Sequence, residues 1–203
     1  MYSPTHLSSP DVRICGPAYT VRMVSQADTF APKPKEHFVD AAACHAGHVM
    51  VVTAPSLTRS AVWGGLMTAR AQQLQLQGVV LDGRCRDLSE HRDAKFAVFA
   101  RGHSIQGQSP FTRPSEINVP VTISDPTLQG KVWEDKNNPR WPSVTVRPGD
   151  YVLADLDGVV IVPPAIAEEV IRLAEKGRME DEKCMEDIRA GMPVKAAFAK
   201  NRT

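Results

Sequence analysis

The chain has 203 residues, 42% of them hydrophobic and 23% charged, enough for one ordinary domain with a sizeable core. Lys plus Arg total 24 against 23 for Asp plus Glu, so there is no basic surplus to neutralise a phosphate backbone, which argues against a nucleic-acid partner. No apolar run approaches the ~20 residues of a membrane helix, and Met1-Tyr2-Ser3-Pro4 does not begin a leader, so the expectation is a cytoplasmic protein without membrane contact.

Residues 11 to 24 predict an opening strand region, with Cys15-Gly16-Pro17 as a turn and Ala18 to Val24 alternating in a β pattern. Ala31-Pro32-Lys33-Pro34-Lys35 reads as a loop, and His37 to Ala46 as a short helix ending near Gly47. His48 to Thr53 is an apolar, β-branched run of the kind buried on both faces in a parallel sheet. Gly64 to Gln77 predicts a helix, with Leu66, Met67, Arg70 and Leu74 at three- and four-residue spacing and Gly78 as its terminator. Val79-Val80-Leu81 is the next buried strand and runs into Asp82-Gly83. Strand, helix and strand in this order make a βαβ unit with parallel strands.

The second half is richer in β signals. Phe96 to Ala100, Val119 to Ile123, Ser143 to Val146 and Tyr151 to Ala154 are strand candidates, with Arg147-Pro148-Gly149-Asp150 as a turn. Gly158 to Val162 reads as a last core strand, and Pro163-Pro164 opens a helix in which Ile166, Val170, Leu173 and Ala174 share a face. Glu175 to Arg189 continues as a charged, solvated helix that Gly191-Met192-Pro193 breaks. The expectation is therefore one domain over 1–203, with a helical C-terminal segment from about 164. Cys15, Cys44, Cys85 and Cys184 are widely spaced and lack a Cys-x-x-Cys, which predicts buried, inert thiols.

The βαβ reading brings two distant segments to one place. The helix from Gly64 follows the carboxyl edge of one strand, and Arg86-Asp87 follows that of the next, at the rim where open α/β sheets bind ligands. Backbone N–H groups at a helix start have no intrahelical acceptor, so Gly64, Gly65, Leu66 and Met67 can cradle a carboxylate. Arg86 offers a planar fork to a carboxylate or keto oxygen. Asp87 offers a hard oxygen to Mg²⁺ or Mn²⁺, and Glu90 lies one turn later on the same face. Each feature also has a bland reading: paired glycines make tight turns, Arg-Asp is a common dipeptide, and Asp87 could cap the helix that starts there.

Six blocks in order carry a resemblance: Gly16-Pro17-Ala18-Tyr19-Thr20-Val21, Trp63-Gly64-Gly65-Leu66-Met67, Asp82-Gly83-Arg84-Cys85-Arg86-Asp87, Phe99-Ala100-Arg101-Gly102, Val146-Arg147-Pro148-Gly149-Asp150, and Ala154 to Val160. From Gly16 to the C-terminus the sequence resembles the RraA-like family, which includes 4-hydroxy-4-methyl-2-oxoglutarate aldolases and oxaloacetate decarboxylases. The resemblance implies a layered αββα sandwich of the swivelling β/β/α type, assembled as a homotrimer or hexamer. It also implies a lyase that releases pyruvate from a small 2-oxo acid with a divalent cation, Mg²⁺ or Mn²⁺, as Lewis acid. Asp87 would hold the cation, Arg86 the substrate oxygens, and Glu90 the waters around the cation. Bacterial aldolases of the family have an aspartate where this chain has Gly65; here the pattern is similar to the plant and yeast form, in which glycine stands there and an acid follows three residues after the metal-binding aspartate. Glu90 is that acid. Relatives usually carry an N-terminal helical segment before the first block, and here about a dozen mostly polar residues precede it.

Two alternatives stand beside this reading. The family's namesake is a non-catalytic regulator that inhibits a ribonuclease by protein contact, but there an amide replaces the metal-binding aspartate. A lyase of the same fold could also serve a specialised 2-oxo acid. Cys44-His45-x-x-His48 reads as structural for want of further ligands, Lys95 has no surroundings that predict a Schiff base, and Arg101 and His103 read as packing or surface residues. No glycine-rich nucleotide loop occurs.

Overall fold

β1 (Ile14–Ser25), β2 (Val49–Thr53) and β4 (Gly78–Cys85) run side by side in parallel and form the centre of an eight-stranded sheet. The computed structural model describes residues 12–124 and 143–202. The N-terminal stretch read from sequence as a polar lead-in lies outside the described residues. The chain divides between Ile161 and Val162 into two compact units.

In the first unit, β3 (Ala61–Trp63), α1 (Gly65–Gln73), α2 (Leu88–Asp93), β5 (Ala97–His103), β6 (Thr112–Ile117), β7 (Val121–Ile123), β8 (Val144–Val146), β9 (Tyr151–Ala154) and β10 (Val159–Val162) complete the elements. The sheet order is β10-β9-β1-β2-β4-β3, with β5 also on β4 and β6 also on β1, while β7 and β8 form a separate antiparallel pair. Every residue of β2 is buried, which is why its sequence is a continuous apolar run rather than an alternation. Met50 and Val52 pack with Tyr19, Val21, Trp63 and Leu81 on the face that also takes Ala71 of α1. Val49 and Val51 pack on the other face with Val80, Phe99, Val121 of β7 and Val146 of β8. The layers are thus helices, main sheet and a second small sheet, a mixed α/β architecture.

Several elements differ from their sequence reading for identifiable reasons. Cys15-Gly16-Pro17 is not a turn: β1 runs through it, pairing with β9 from Ile14 to Pro17 and with β2 from Ala18 onward. Gly16 permits this change of partner, since a Cβ there would sit 2.3 Å from the Gly47 carbonyl oxygen. The helix expected over His37 to Ala46 shrinks to a 3-10 turn at Asp40–Ala42, because burial of Phe38 and Val39 and the Asp40–Arg70 ion pair hold the segment by its side chains. α1 stops at Gln73, with Gln75 taking the left-handed conformation at φ 59°, and Gly78 opens β4 instead of ending the helix. Its buried face carries Gly65, Thr68 and Ala71, while Leu66 is 75% exposed. β3 and β6 have no counterpart in the sequence reading; at three residues and with an internal proline they carry weak strand signals. β10 forms where it was read and is partly buried: Val162 is buried and Val159 and Ile161 pack against the core, while Val160 faces solvent. Only Cys85 and Cys184 are buried; Cys15 and Cys44 are exposed, and all four are free.

The second unit is helical: a 3-10 turn at Pro164–Ile166, the 23-residue α3 (Ala167–Arg189) and α4 (Val194–Asn201). Gly191 at φ 97° and Pro193 turn the chain so that α4 packs on α3. Lys200 and Asn201 both reach the Asp187 carboxylate, and Cys184 Sγ donates to the Ala197 carbonyl. The face expected to bury Ile166 and Leu173 is exposed there at 51% and 50%. Among the described residues no helix is long and apolar enough to cross a membrane.

The Tyr19 hydroxyl is buried without a hydrogen-bond partner, and burial, helped by the Glu36 charge, pushes its pKa up to about 12. The native state therefore holds this proton to higher pH than the unfolded chain, whose tyrosine ionises near 10. Stability from this difference is intact below about pH 10 and falls as pH rises toward about 12. Tyr19→Phe should leave stability at neutral pH nearly unchanged, since no bond is lost, and should flatten the alkaline decline. Urea unfolding of both proteins across that pH range checks this; parallel declines would place the alkaline sensitivity elsewhere.

Candidate active site

The site is built by a short parallel ladder. Trp63 at the end of β3 pairs with Cys85 at the end of β4, and the Arg86 amide donates to the Trp63 carbonyl at 2.9 Å. The next residues on each strand are therefore neighbours: Gly64 and Gly65 on one side, Arg86 and Asp87 on the other. Gly64 is extended (φ −148°, ψ −176°) at the N-cap of α1, and the Gly65 N–H donates to Asp87 Oδ2 at 3.0 Å. Met67 N–H turns back to the Gly64 carbonyl at 3.1 Å, while Leu66 N–H has no acceptor among the described residues.

Asp87 occupies the N-cap position of α2, yet its side chain makes no capping bond. It adopts the left-handed conformation at φ 59°, ψ 45°, which costs a non-glycine residue on the order of 1 kcal/mol. That backbone turn sends the carboxylate across to α1 rather than down onto its own helix. Arg86 Nη1 lies 3.1 Å from Asp87 Oδ1 and 3.0 Å from Oδ2. Arg86 is exposed and Asp87 half-buried, so both can be reached from solvent.

Both glycines leave the space that these side chains occupy. A Cβ on Gly64 would stand 2.6 Å from Asp87 Oδ2 and 3.0 Å from Arg86 Nε. A Cβ on Gly65 would stand 1.5 Å from Glu90 Oε2 and 2.5 Å from Glu90 Cδ. The Glu90 carboxylate thus fills the space that a side chain at position 65 would occupy. It makes no hydrogen bond or ion pair to the described residues.

Two hard carboxylates at an open rim suit Mg²⁺ or Mn²⁺, which take one or two protein carboxylates and keep several waters. Asp87 Oδ1 has spare lone pairs beyond its bond from Arg86, and the Glu90 oxygens are uncommitted. Among the described residues no group of three or more His, Cys, Asp or Glu is placed to hold an ion, so a closed zinc-type cage is not what these residues fit.

The sequence reading missed what lies beneath. Thr68 and His91 are buried under the two glycines and Glu90 and are bonded to each other through Oγ1 and Nδ1 at 2.9 Å. Their spacing was a usable signal: Thr68 falls three residues after Gly65 and His91 four after Asp87, on the inward faces of α1 and α2. Burial, opposed by the Arg86 backbone and the Asp87 and Glu90 carboxylates, pushes the His91 pKa below its usual value. Burial also pushes the Cys85 thiol up to about 11, which removes it as a nucleophile near neutral pH. Arg101 does line a cavity, of about 280 Å³, with Asp82, Arg84, Arg59 and Ser124. It is ion-paired there with Asp82, whose carboxyl burial raises above the usual range against the pull of Arg101. Asp82 and Arg84 lie on the face of β4 shared with Val80, and neither the two glycines nor Asp87 lines this cavity.

Fold and site together define a mixed α/β protein in which a helix start and an Arg-Asp pair share one sheet rim. The chain belongs to the RraA-like (Aldolase/RraA) family, whose model matches residues 2–161. The match ends at Ile161, short of the C-terminal helices that the sequence resemblance takes in. A protein of Halalkalibacterium halodurans named "Putative 4-hydroxy-4-methyl-2-oxoglutarate aldolase" is 28% identical over 170 residues, 84% of this chain and 69% of that protein. Other relatives are longer: the chain spans 56% of a Methanocaldococcus jannaschii protein and 28% of DlpA from Legionella pneumophila. Among solved structures, an uncharacterised protein from Pseudomonas syringae superposes with a TM-score of 0.74 at 24% identity, over 98% of this chain and 80% of its own. RraAS2 of Streptomyces coelicolor, described as an unusual member of the RNase ES inhibitor RraA protein family, gives 0.63 at 24% identity, over 84% and 75%. These two establish that the fold is RraA-like.

The contact between Gly65 and Glu90 yields a direct expectation. In Gly65→Ala the new methyl must displace the Glu90 carboxylate, which is exposed and free to swing. Stability should stay within about 1 kcal/mol of wild type, because alanine also favours the helix over glycine. Urea unfolding together with a crystal structure of the variant would check it; a loss of several kcal/mol would mean that Glu90 cannot leave.

Proposed function

We propose that this chain is a divalent-cation-dependent lyase that cleaves a carbon–carbon bond of a small 2-oxo acid, by retro-aldol cleavage or decarboxylation, with pyruvate as product. The observation that carries the reading is the placement of the Glu90 carboxylate in the space of the absent side chain at Gly65, beside Asp87. In the bacterial pattern an acid at position 65 would supply a carboxylate from α1; here α2 supplies one to the same place. A side chain at position 65 would displace the Glu90 carboxylate from its present place, so the two forms of the motif use one space in different ways.

Asp87 and Glu90 would hold the cation, which supplies Lewis-acid stabilisation for the negative charge that develops on the 2-oxo group. The Gly65 N–H fixes the Asp87 carboxylate from behind, so that one oxygen is oriented before any ligand arrives. Arg86 is exposed on the same rim and can exchange its contact with Asp87 for the carboxylate and keto oxygens of a 2-oxo acid. The Leu66 N–H, lacking an acceptor, adds a donor at the positive end of α1. Glu90 would also accept hydrogen bonds from waters around the cation. The aldolase name carried by the Halalkalibacterium relative agrees with this chemistry. The regulator reading is favoured by no residue here, because both carboxylates are retained.

Pyruvate release from oxaloacetate and from 4-hydroxy-4-methyl-2-oxoglutarate, with and without EDTA and added Mg²⁺, tests the proposal. Activity should vanish in EDTA and return with Mg²⁺; equal activity in both would sink the metal assignment. Asp87→Asn should abolish turnover while leaving the fold intact, since its amide oxygen can still accept from Gly65 N–H but is a poor ligand for a hard cation. Near-normal turnover in that variant would remove Asp87 from the site.

Glu90→Gln should weaken the apparent affinity for Mg²⁺ and lower turnover together, by about 10–100-fold. Arg86→Lys keeps the charge but loses the planar fork, so it should raise KM and lower kcat with Mg²⁺ affinity nearly unchanged. Mg²⁺ titrations of activity separate the two: superimposable curves for wild type and Glu90→Gln would leave Asp87 as the sole carboxylate of the site.

A further inference from the structure

Between α1 and α2, directly under the candidate site, lies a chain of three buried polar groups. Trp63 Nε1–H donates to Thr68 Oγ1 at 2.9 Å, and Thr68 Oγ1 lies 2.9 Å from His91 Nδ1. Exposure is 1% for Trp63, 1% for Thr68 and 0% for His91, so water does not compete for these bonds. The first bond of the chain has a fixed direction. An indole N–H can only donate, so Thr68 Oγ1 accepts from Trp63, and its bond with Nδ1 runs in whichever direction the imidazole tautomer sets. The other ring nitrogen, Nε2, is buried and has no partner within hydrogen-bond range. A buried polar chain that leaves one end unsatisfied costs stability compared with an apolar filling of the same volume. Packing alone therefore gives no reason for a histidine here.

What the chain joins gives one. Trp63 is the residue before the glycine pair, and Thr68 sits in the first turns of α1 with its amide bonded to the Gly64 carbonyl at 3.2 Å. His91 adjoins Glu90, and its amide donates to the Asp87 carbonyl at 3.2 Å. One hydroxyl thus ties the helix that presents Gly64 and Gly65 to the helix that presents Asp87 and Glu90. The two halves of the site are joined as well by the Arg86 amide on the Trp63 carbonyl, by the bond from Gly65 N–H to Asp87, by the contact between Gly65 and Glu90, and at the far end of the helices by Gln72 Nε2 on the Ala94 carbonyl. The Thr68–His91 bond is the tie that lies buried between the two helices.

We propose that Thr68 and His91 are positioning residues: a buried hydrogen-bonded brace that fixes the spacing between the α1 glycine pair and the Asp87 and Glu90 carboxylates, and so sets cation affinity. The inference rests on the lyase reading of that site. Loss of the brace lets α2 shift against α1, which loosens the Gly65 N–H bond that orients Asp87 and the fit of Glu90 against Gly65, and so costs affinity for an ion that needs both carboxylates in place.

Two matched pairs of variants test this, with Mn²⁺ alone as the probe. Thr68→Val removes the hydroxyl at constant shape and Thr68→Ser keeps it; His91→Leu removes the ring's hydrogen-bonding nitrogen, and His91→Asn keeps an amide that can bond Thr68 in either direction. Mn²⁺ binding is read by electron paramagnetic resonance, folding by circular dichroism, and pyruvate release separately. The expected result is Mn²⁺ binding weakened about tenfold or more in Thr68→Val and His91→Leu, and within about threefold of wild type in Thr68→Ser and His91→Asn. Wild-type Mn²⁺ affinity in the folded Val and Leu variants, whatever their thermal midpoints, overturns the proposal by reducing the brace to packing. Equal losses in all four overturn it too, because the hydrogen bonds would then be irrelevant. Should Thr68→Val fail to fold, the His91 pair decides alone. A wild-type protein that neither binds Mn²⁺ nor releases pyruvate would defeat the lyase reading itself and the brace with it, an outcome distinct from a wild type that binds while its variants do not differ.

Discussion

Trp63 and Cys85 lie side by side at the ends of two parallel strands, and the Arg86 amide closes onto the Trp63 carbonyl. β3 has only three residues, all buried, and it is held chiefly by the indole of Trp63 between Phe38 and the stacked ring of Phe96, with centroids 6.3 and 6.4 Å away. Truncating such a residue typically costs ~3–5 kcal/mol, far more than a three-residue strand could supply by backbone pairing alone. Without this ladder Gly64 and Gly65 would have no fixed relation to Arg86 and Asp87, which are more than twenty positions away in the chain. With it, one register sets the contact between Gly65 N–H and Asp87, the fit of Glu90 against Gly65, and the position of Thr68 under both.

The energetics of the rim point toward a binding role. The Arg86–Asp87 pair is partly exposed, with side-chain exposures of 42% and 22%, and such pairs contribute at most about 1 kcal/mol to stability. Asp87 spends a comparable amount on its left-handed backbone and declines the helix cap that its position offers. Two glycines beside it give up helix propensity and side-chain packing. Taken together, these residues stabilise the fold very little, yet their mutual placement is tight enough that neither glycine admits a methyl group without displacement. An arrangement that contributes so little to folding while constraining so many atoms is what the proposed ligand role calls for.

The deeper layer differs in kind. Trp63, Thr68 and His91 are enclosed, and the Nε2 atom left without a partner marks a local conflict with packing of the sort that accompanies function in natural proteins. Around β2 the packing is by contrast mainly apolar: Val49 and Val51 meet only apolar neighbours on one face, and Met50 and Val52 on the other meet apolar side chains and the ring of Tyr19, whose hydroxyl is likewise unpartnered. The main sheet can therefore remain rigid while one rim carries the strained and polar features.

Read as a string, the chain already declared its central strands and the two segments that make the site. β2 and β4 were legible because burial on both faces demands unbroken apolar runs, and Gly64-Gly65 and Arg86-Asp87 because residue types with special backbone or charge properties stand out locally. Elements whose identity comes from partners were not legible. β3 and β6 are strands only because β4 and β1 lend them hydrogen-bond partners, and Gly16-Pro17, a turn by local rules, is held extended by β9 on one side and by the close approach of Gly47. The tertiary structure alone decided that Asp87 turns away from its own helix, that Glu90 takes the space left by Gly65, and that Thr68 and His91 meet beneath them. Each is a relation between residues on different elements, set by the register of two strands, and no pattern within either segment encodes it.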